Sequence, residues 1–271
     1  MPVTLDQIVA ATRARVAKIK GYTHVQALAH QAERHQPRGF EQALRTAAEQ
    51  RFGIIAELKK ASPSRGLIRK DFCPAELAKD LVANGATTLS VLTDEEFFQG
   101  SLDYLAEASA AVKAPLLRKD FIIDPFQIIE ARANCADAIL LIVAALTDVE
   151  LRDLHAKAKD LALDVLCEVH DQPELDRALK AGCNIIGVNS RDLRTFHVDL
   201  NTALLLGPKI PANVLKVAES GIGTGDDIAR LRDAGYDAFL IGESLMKVDH
   251  PGEALSQLIV SAEAAQKSAA R

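Results

Sequence analysis

The chain has 271 residues, 48% of them hydrophobic and 25% charged, with a formal net charge of −5. That length and apolar content suit one large α/β barrel or two ordinary domains. No apolar run approaches the roughly 18 residues that a membrane span needs, and the opening MPVTLDQIVAATRARVAKIK lacks the apolar centre of a secretory signal. The acidic balance disfavours nucleic acid as a partner. A soluble cytoplasmic protein is expected.

Residues 1–48 read as helices that precede the first strand and pack on the remainder of the chain. From residue 52 onward one unit recurs: a short β-branched run, a polar or glycine-rich joint, then a helix. The predicted strands are Phe52–Leu58, Thr88–Leu92, Pro115–Lys119, Ala138–Ile142, Asp164–Val169, Ile185–Asn189, Leu215–Ser220 and Ala238–Gly242. They are near-continuous apolar runs, as expected for parallel strands buried on both faces. Between them, Pro74 and Asp124-Pro125 open helices, Thr147 with Glu150 and Asp171 with Glu174 read as capping boxes, and Gly85 and Gly182 follow helix ends. Strand and helix alternating eight times is the count that closes a (βα)8 TIM barrel with an N-terminal helical extension. An open doubly wound sheet is the alternative, but no GxGxxG follows the first strand. The whole of 1–271 reads as one domain: an extension over 1–48, a barrel over 52–250 and a C-terminal helix over 251–271. Cys73, Cys135, Cys167 and Cys183 share no CxxC spacing and are expected as buried free thiols in a reducing compartment.

In a barrel of this kind the active site lies where strands end and βα loops begin. Glu57 and Lys59 end the first strand two residues apart, hence on one face. Lys119 ends the third strand, Glu168 the fifth, and Asn189 with Arg191 the sixth. Glu219, Ser220 and Gly221 end the seventh; Gly242 and Glu243 end the eighth. Each taken alone is an ordinary solvated loop residue. Together they would converge on one partly dehydrated mouth. The small-residue joints Ser220-Gly221-Ile222-Gly223 and Gly242-Glu243-Ser244 lead into helices and would offer backbone N–H groups to a phosphate.

The strings AELKKASPS, SVLTDEEFFQGS, LLRKDFIID, DAILLIVAALT, GVNSRDL, VAESGI and FLIGESLM resemble indole-3-glycerol phosphate synthase at every strand end. The likeness spans residues 50 to 250, and TLDQIVAATRARVAKIK is similar to that family's leading helix. Two departures are Arg15, where the family often carries an acidic residue, and Asn134-Cys135 in place of a leucine-glycine pair. The resemblance implies conversion of an anthranilate N-linked to a ribulose phosphate into indole-3-glycerol phosphate, carbon dioxide and water, with no metal or organic cofactor. It implies Lys119 as general acid and Glu168 as stabiliser of the iminium and acid or base in dehydration. Glu57 would hold sugar hydroxyls, Lys59 would anchor anionic groups, and Glu219 would bond a sugar hydroxyl. Asn189 and Arg191 would orient the anthranilate carboxylate. Ser220, Gly221, Gly242 and Glu243 would bind phosphate mainly through the backbone, and Ser62, Phe98, Phe121 and Leu140 would line the anthranilate pocket.

His170 reads as a solvated loop residue after the fifth strand, and 65–71 as a mobile loop whose cations could help close over a substrate. The rival functions are an isomerase of the same pathway, whose strand ends carry cysteine and aspartate rather than Glu-Leu-Lys and Asn-Ser-Arg, and a silent regulatory barrel, which should lack the acid and base. The expected partner is a small phosphorylated anion, with neither nucleic acid nor membrane, and the expected state a monomer or weak homodimer.

Overall fold

A computed structural model describes residues 4–192 and 196–269; the outermost residues of both terminal segments and the end of the GVNSRDL string lie outside that range. Eight parallel strands form a closed barrel: β1 Gly53–Leu58, β2 Thr88–Leu92, β3 Leu116–Lys119, β4 Ala138–Ile142, β5 Asp164–Val169, β6 Ile185–Asn189, β7 Leu215–Glu219 and β8 Ala238–Ile241. Each strand pairs with its sequence neighbours, and β1 closes the ring by pairing with both β2 and β8. Helices α1 Leu5–Lys20, α2 Val25–Glu33 and α3 Phe40–Gln50 precede the barrel. The remaining helices are α4 Pro74–Ala83, α5 Glu95–Phe98, α6 Leu102–Ala111, α7 Pro125–Ala133, α8 Asp148–Asp160, α9 Gln172–Lys180, α10 Asn201–Leu206, α11 Gly225–Asp233, α12 Glu243–Met246 and α13 Pro251–Ala269.

Side chains alternate across each strand, so one parity faces the barrel axis and the other the helices. Ile55, Leu117, Leu140, Leu166, Ile185, Val217 and Leu240 share one buried cluster inside the barrel. Their strand neighbours Ile54, Leu116, Ile139, Val165, Ile186, Ala218 and Phe239 belong to a second cluster beneath the helices. The inner parity continues to Glu57, Lys119, Glu168, Asn189 and Glu219. This period-two rule is what aims the polar strand ends at the axis.

Phe40 and Leu44 of α3 are fully buried and join the inner cluster, closing the N-terminal end of the barrel. At that same end Asp137, just before β4, accepts from the backbone N–H of Leu116 at 2.7 Å, from the N–H and guanidinium of Arg38, and faces His35 Nε2 at 3.0 Å. Arg38 and His35 thus anchor the extension to the barrel through one buried carboxylate.

Thr147 and Glu150 form the expected capping box of α8. In α9 the pattern is altered: Asp171 caps Glu174, but the Glu174 carboxylate reaches back to the N–H of His170 instead of that of Asp171. The expectation of four buried free thiols fails. Cys167 and Cys183 form a disulfide, Cys73 is exposed and Cys135 partly buried. The β5–α9–β6 unit returns the chain from α9 to the strand beside β5, setting Cys183 next to Cys167, a proximity that sequence spacing does not display. The loop after β1 also has internal order: Ala61–Ser62 and Gly66–Leu67 form an antiparallel ladder, and Lys60 O accepts from Ile68 N and Arg69 N.

Candidate active site

A cavity of about 410 Å³ opens at the C-terminal ends of the strands, and every strand-end and pocket residue expected from the sequence lines it. Its floor is ionic. Lys119 Nζ lies 3.0 Å from Glu168 Oε2 and 3.5 Å from Glu219 Oε2, while Lys59 Nζ donates to Glu57 Oε1 at 2.5 Å. The carboxylates of Glu168 and Glu219 are 1% and 2% exposed.

Burial at this depth penalises charge, so the neighbours decide who stays ionised. For Lys119 burial pulls downward, but Glu168, Glu219 and Glu57 outweigh it and hold the ammonium well above the ordinary lysine range. For Glu168 burial pushes upward, yet Lys119 and His170 keep it well below the usual carboxylate range. Glu219 goes the other way. Its burial, reinforced by Glu168 and Glu57 against the pull of Lys119, pushes it up to about 8. One lysine therefore sits between two carboxyl groups whose surroundings push them in opposite directions, Glu168 toward the ionised form and Glu219 toward the protonated form.

Two glycines make this floor possible. A Cβ at Gly187 would overlap Glu219 Oε1, and one at Gly242 would lie 2.5 Å from Glu57 Oε1. Asn189 stands beside Glu219 in register, and its Oδ1 accepts from the N–H of Arg191 at 3.0 Å. On the wall, Phe98 and Phe121 lie with ring centroids 6.1 Å apart, and both line the cavity with Leu140, which is 2% exposed, and Ser62.

The rim is cationic. Glu243, at the start of α12, is approached by Lys247 at 2.5 Å, Arg65 at 3.0 Å and Arg191 at 3.2 Å. Burial raises its pKa, but these three cations bring it below the ordinary range. Arg191 thus stands between two strand ends, its N–H on Asn189 Oδ1 and its guanidinium beside Glu243. Ser220 and Gly221 adopt left-handed φ of 66° and 77° at the neighbouring strand end. The N–H of Gly223 is committed to Asp227 Oδ2 at 3.1 Å, whereas the first-turn N–H groups of Glu243 and Ser244 have no acceptor within their helix. Clustered cations beside such donors suit a phosphate.

His170 departs from expectation. Its side chain is 14% exposed and lies against Glu168 and Glu174. Sequence reading also missed Leu5 and Ile8 of α1, Lys247, and Phe196 and Val198 beyond β6, all of which line the cavity. Lys247 was within reach, because an i, i+4 partner of Glu243 on a helix is legible from spacing. The α1 contribution carries no local signal. Among the described residues no group of acidic, histidine and cysteine side chains is arranged to hold a metal ion, and no helix is long and apolar enough to cross a membrane.

The family model described as indole-3-glycerol phosphate synthase matches residues 5–258. Curated proteins of that name are similar along nearly the whole chain. That of Koribacter versatilis is 55% identical over 96% of this chain and 100% of its own, and that of Variovorax paradoxus 48% identical over 95% and 99%. Among solved structures, a thiamine phosphate pyrophosphorylase from Pyrococcus furiosus aligns with a TM-score of 0.60 at 15% identity, over 79% of this chain and 96% of that one, a likeness of fold alone.

Proposed function

The chain belongs to the indole-3-glycerol phosphate synthase family, and from that premise we infer how its cavity divides the reaction among its residues. The activity is a carboxy-lyase reaction of tryptophan biosynthesis. 1-(2-Carboxyphenylamino)-1-deoxyribulose 5-phosphate closes a ring between its carboxylate-bearing carbon and its sugar carbonyl, then loses carbon dioxide and water.

Lys119 is the general acid that protonates the carbonyl oxygen as the carbon–carbon bond forms. Ring closure leaves a cationic iminium, which the ionised Glu168 stabilises before serving in the dehydration. Glu57 and Lys59 hold sugar hydroxyls and the substrate's anionic groups, and Asn189 orients the anthranilate carboxylate. Glu219, whose burial and acidic neighbours favour its protonated form, donates to a sugar hydroxyl. Ser62, Phe98, Phe121 and Leu140 hold the aromatic ring. Arg191 and Arg65 grip phosphate together with the backbone of Ser220, Gly221, Gly242 and Glu243. Arg191 is assigned to the phosphate because its guanidinium points to Glu243.

The observation that carries this reading is Lys119 Nζ set between Glu168 and Glu219 beneath the Phe98–Phe121 wall. The chain functions as one cytoplasmic domain, monomeric or weakly dimeric, without metal, organic cofactor, nucleic acid or membrane. A fluorescence assay for indole-3-glycerol phosphate made from the anthranilate–ribulose phosphate tests the assignment. Product should form at a rate proportional to enzyme; folded protein that makes none refutes it.

A further inference from the structure

His170 follows β5 directly and is a partly buried titratable group that the reaction scheme leaves unused. Glu174 clamps its ring from behind: Oε2 lies 3.0 Å from Nδ1 and also accepts the His170 N–H at 2.8 Å. Glu174 is itself held in the first turn of α9, where its N–H donates to Asp171 Oδ1 at 2.9 Å. The far side of the ring faces the floor, with Nε2 3.4 Å from Glu168 Oε1. That nitrogen is buried and has no aligned hydrogen-bond partner, so the contact is an ion pair and not a directed bond. The other oxygen of Glu168 is taken by Lys119. Glu168 therefore lies between two cations of different fate, since one is to surrender a proton and the other is not.

We propose that His170 is a positioning residue: as an imidazolium held between Glu174 and Glu168, it sets the orientation of Glu168 and keeps it ionised once Lys119 has delivered its proton. This rests on the roles assigned above to Lys119 and Glu168. The charge balance shows the need. When the Lys119 ammonium protonates the substrate carbonyl, it becomes a neutral amine, and the buried Glu168 loses the cation on Oε2. With Lys119 neutral, burial at 1% exposure pushes Glu168 toward its protonated form, in which it could no longer stabilise the iminium. With His170 charged, one cation remains on Oε1 throughout. The groups that face His170 are Glu168 on its own strand, Glu174 on α9 and Glu219 across the barrel on β7, with Lys119 on β3 beyond Glu168. Burial pulls the imidazole downward, but Glu168 and Glu174 push it up to about 10, so it carries its proton through neutral pH.

The test compares pH profiles of kcat and kcat/KM for His170→Asn, His170→Lys and Glu168→Gln with those of the parent enzyme. His170→Asn should lower kcat roughly tenfold with KM nearly unchanged, and should raise the acid limb of the kcat profile by about one pH unit, the shift equivalent to that factor. His170→Lys restores the charge and should bring the limb back toward the parent position. A purely structural role would leave the limb in place and would not distinguish Asn from Lys. Glu174→Gln, which touches only the outer side of the ring, should shift the limb in the same direction and serves if His170→Asn folds poorly. If Glu168→Gln is inactive while His170→Asn and Glu174→Gln retain the parent acid limb, the positioning role is wrong and the role of Glu168 stands. If Glu168→Gln turns over normally, the assigned chemistry of Glu168 falls, and the role of His170 with it.

Discussion

The pairing of Lys119 with Glu168 can be measured as a free energy separate from catalysis. In Lys119→Met the ammonium is replaced by an apolar chain of similar length, leaving Glu168 1% exposed with its Oε2 unpaired. At 3.0 Å and an effective dielectric of about 20, the lost attraction is roughly 5 kcal/mol. Removal of one partner of a buried pair ordinarily costs about 3–5 kcal/mol. Lys119→Met should therefore lose about that much stability, read as a shift of the urea midpoint with an unchanged m-value. Adding Glu168→Gln removes the stranded charge, and the double variant should recover most of the loss, a coupling of up to about 3 kcal/mol. Turnover behaves differently. Lys119→Met should lower kcat by roughly two to four orders of magnitude, and the double variant should be little worse, since residues that act as a unit are not additive. Additive stability losses, or a Lys119→Met enzyme with near-parental kcat, would refute both the ion-pair argument and the acid assignment.

Gly187→Ala places a methyl group where Glu219 Oε1 now lies. It should displace that carboxyl group, lower kcat at least tenfold and cost about 1–3 kcal/mol of stability as an overpacked site; a kcat within twofold of the parent in the folded variant would show that Glu219 need not occupy its present position. Asp137→Asn acts at the opposite end of the barrel and should spare kcat per folded molecule while lowering stability by about 3–5 kcal/mol, because Arg38 and His35 lose their shared carboxylate. The sign of its pH dependence is determined by the lowered pKa of Asp137: burial opposes ionisation, but hydrogen bonds from His35, Arg38 and Leu116 prevail. The stabilisation is thus complete above the unfolded value near 4 and lost as pH falls through the lower folded value. Acid titrations followed by circular dichroism should find the parent steeper than Asp137→Asn below about pH 4, and parallel curves would contradict this.

The barrel was legible because its strands are short apolar runs buried on both faces. The observed boundaries of β2, β4, β5 and β6 coincide with the predicted ones, and the others differ by a residue at an end. The floor was legible for a related reason: Glu57, Lys119, Glu168, Asn189 and Glu219 continue the inward parity of their strands. What escaped depends on contacts between elements far apart in sequence. Leu5 and Ile8 reach the cavity only because α1 packs near the mouth, guided in part by Arg15 reaching Asp120 at 3.3 Å. Cys167 on β5 meets Cys183 in the joint between α9 and β6, which no spacing rule announces. Arg191 follows Asn189 closely in sequence, yet the partner of its guanidinium, Glu243, belongs to the end of another strand, a pairing that chain proximity does not display. His170 looked like loop because its burial comes from α9 and Glu168, one on each side of the ring.

The cavity also resolves how a chain of net charge −5 holds an anionic substrate. Its cations are divided by depth. At the rim, Arg65, Arg191 and Lys247 surround the single carboxylate of Glu243, and the side chains of Arg65 and Lys247 are 57% and 47% exposed. Positive charge there exceeds negative charge and can take up a phosphate without uncovering a buried ion. On the floor, these partly buried cations already have carboxylates: Lys59 has Glu57, Lys119 has Glu168, and His170 has Glu174 and Glu168. A second anion placed among them would have to break one of these pairs at a cost of several kcal/mol. In the proposed function this division directs the phosphate to the rim and leaves the reacting carbon atoms over the floor, where proton transfer would rearrange paired charges instead of creating isolated ones.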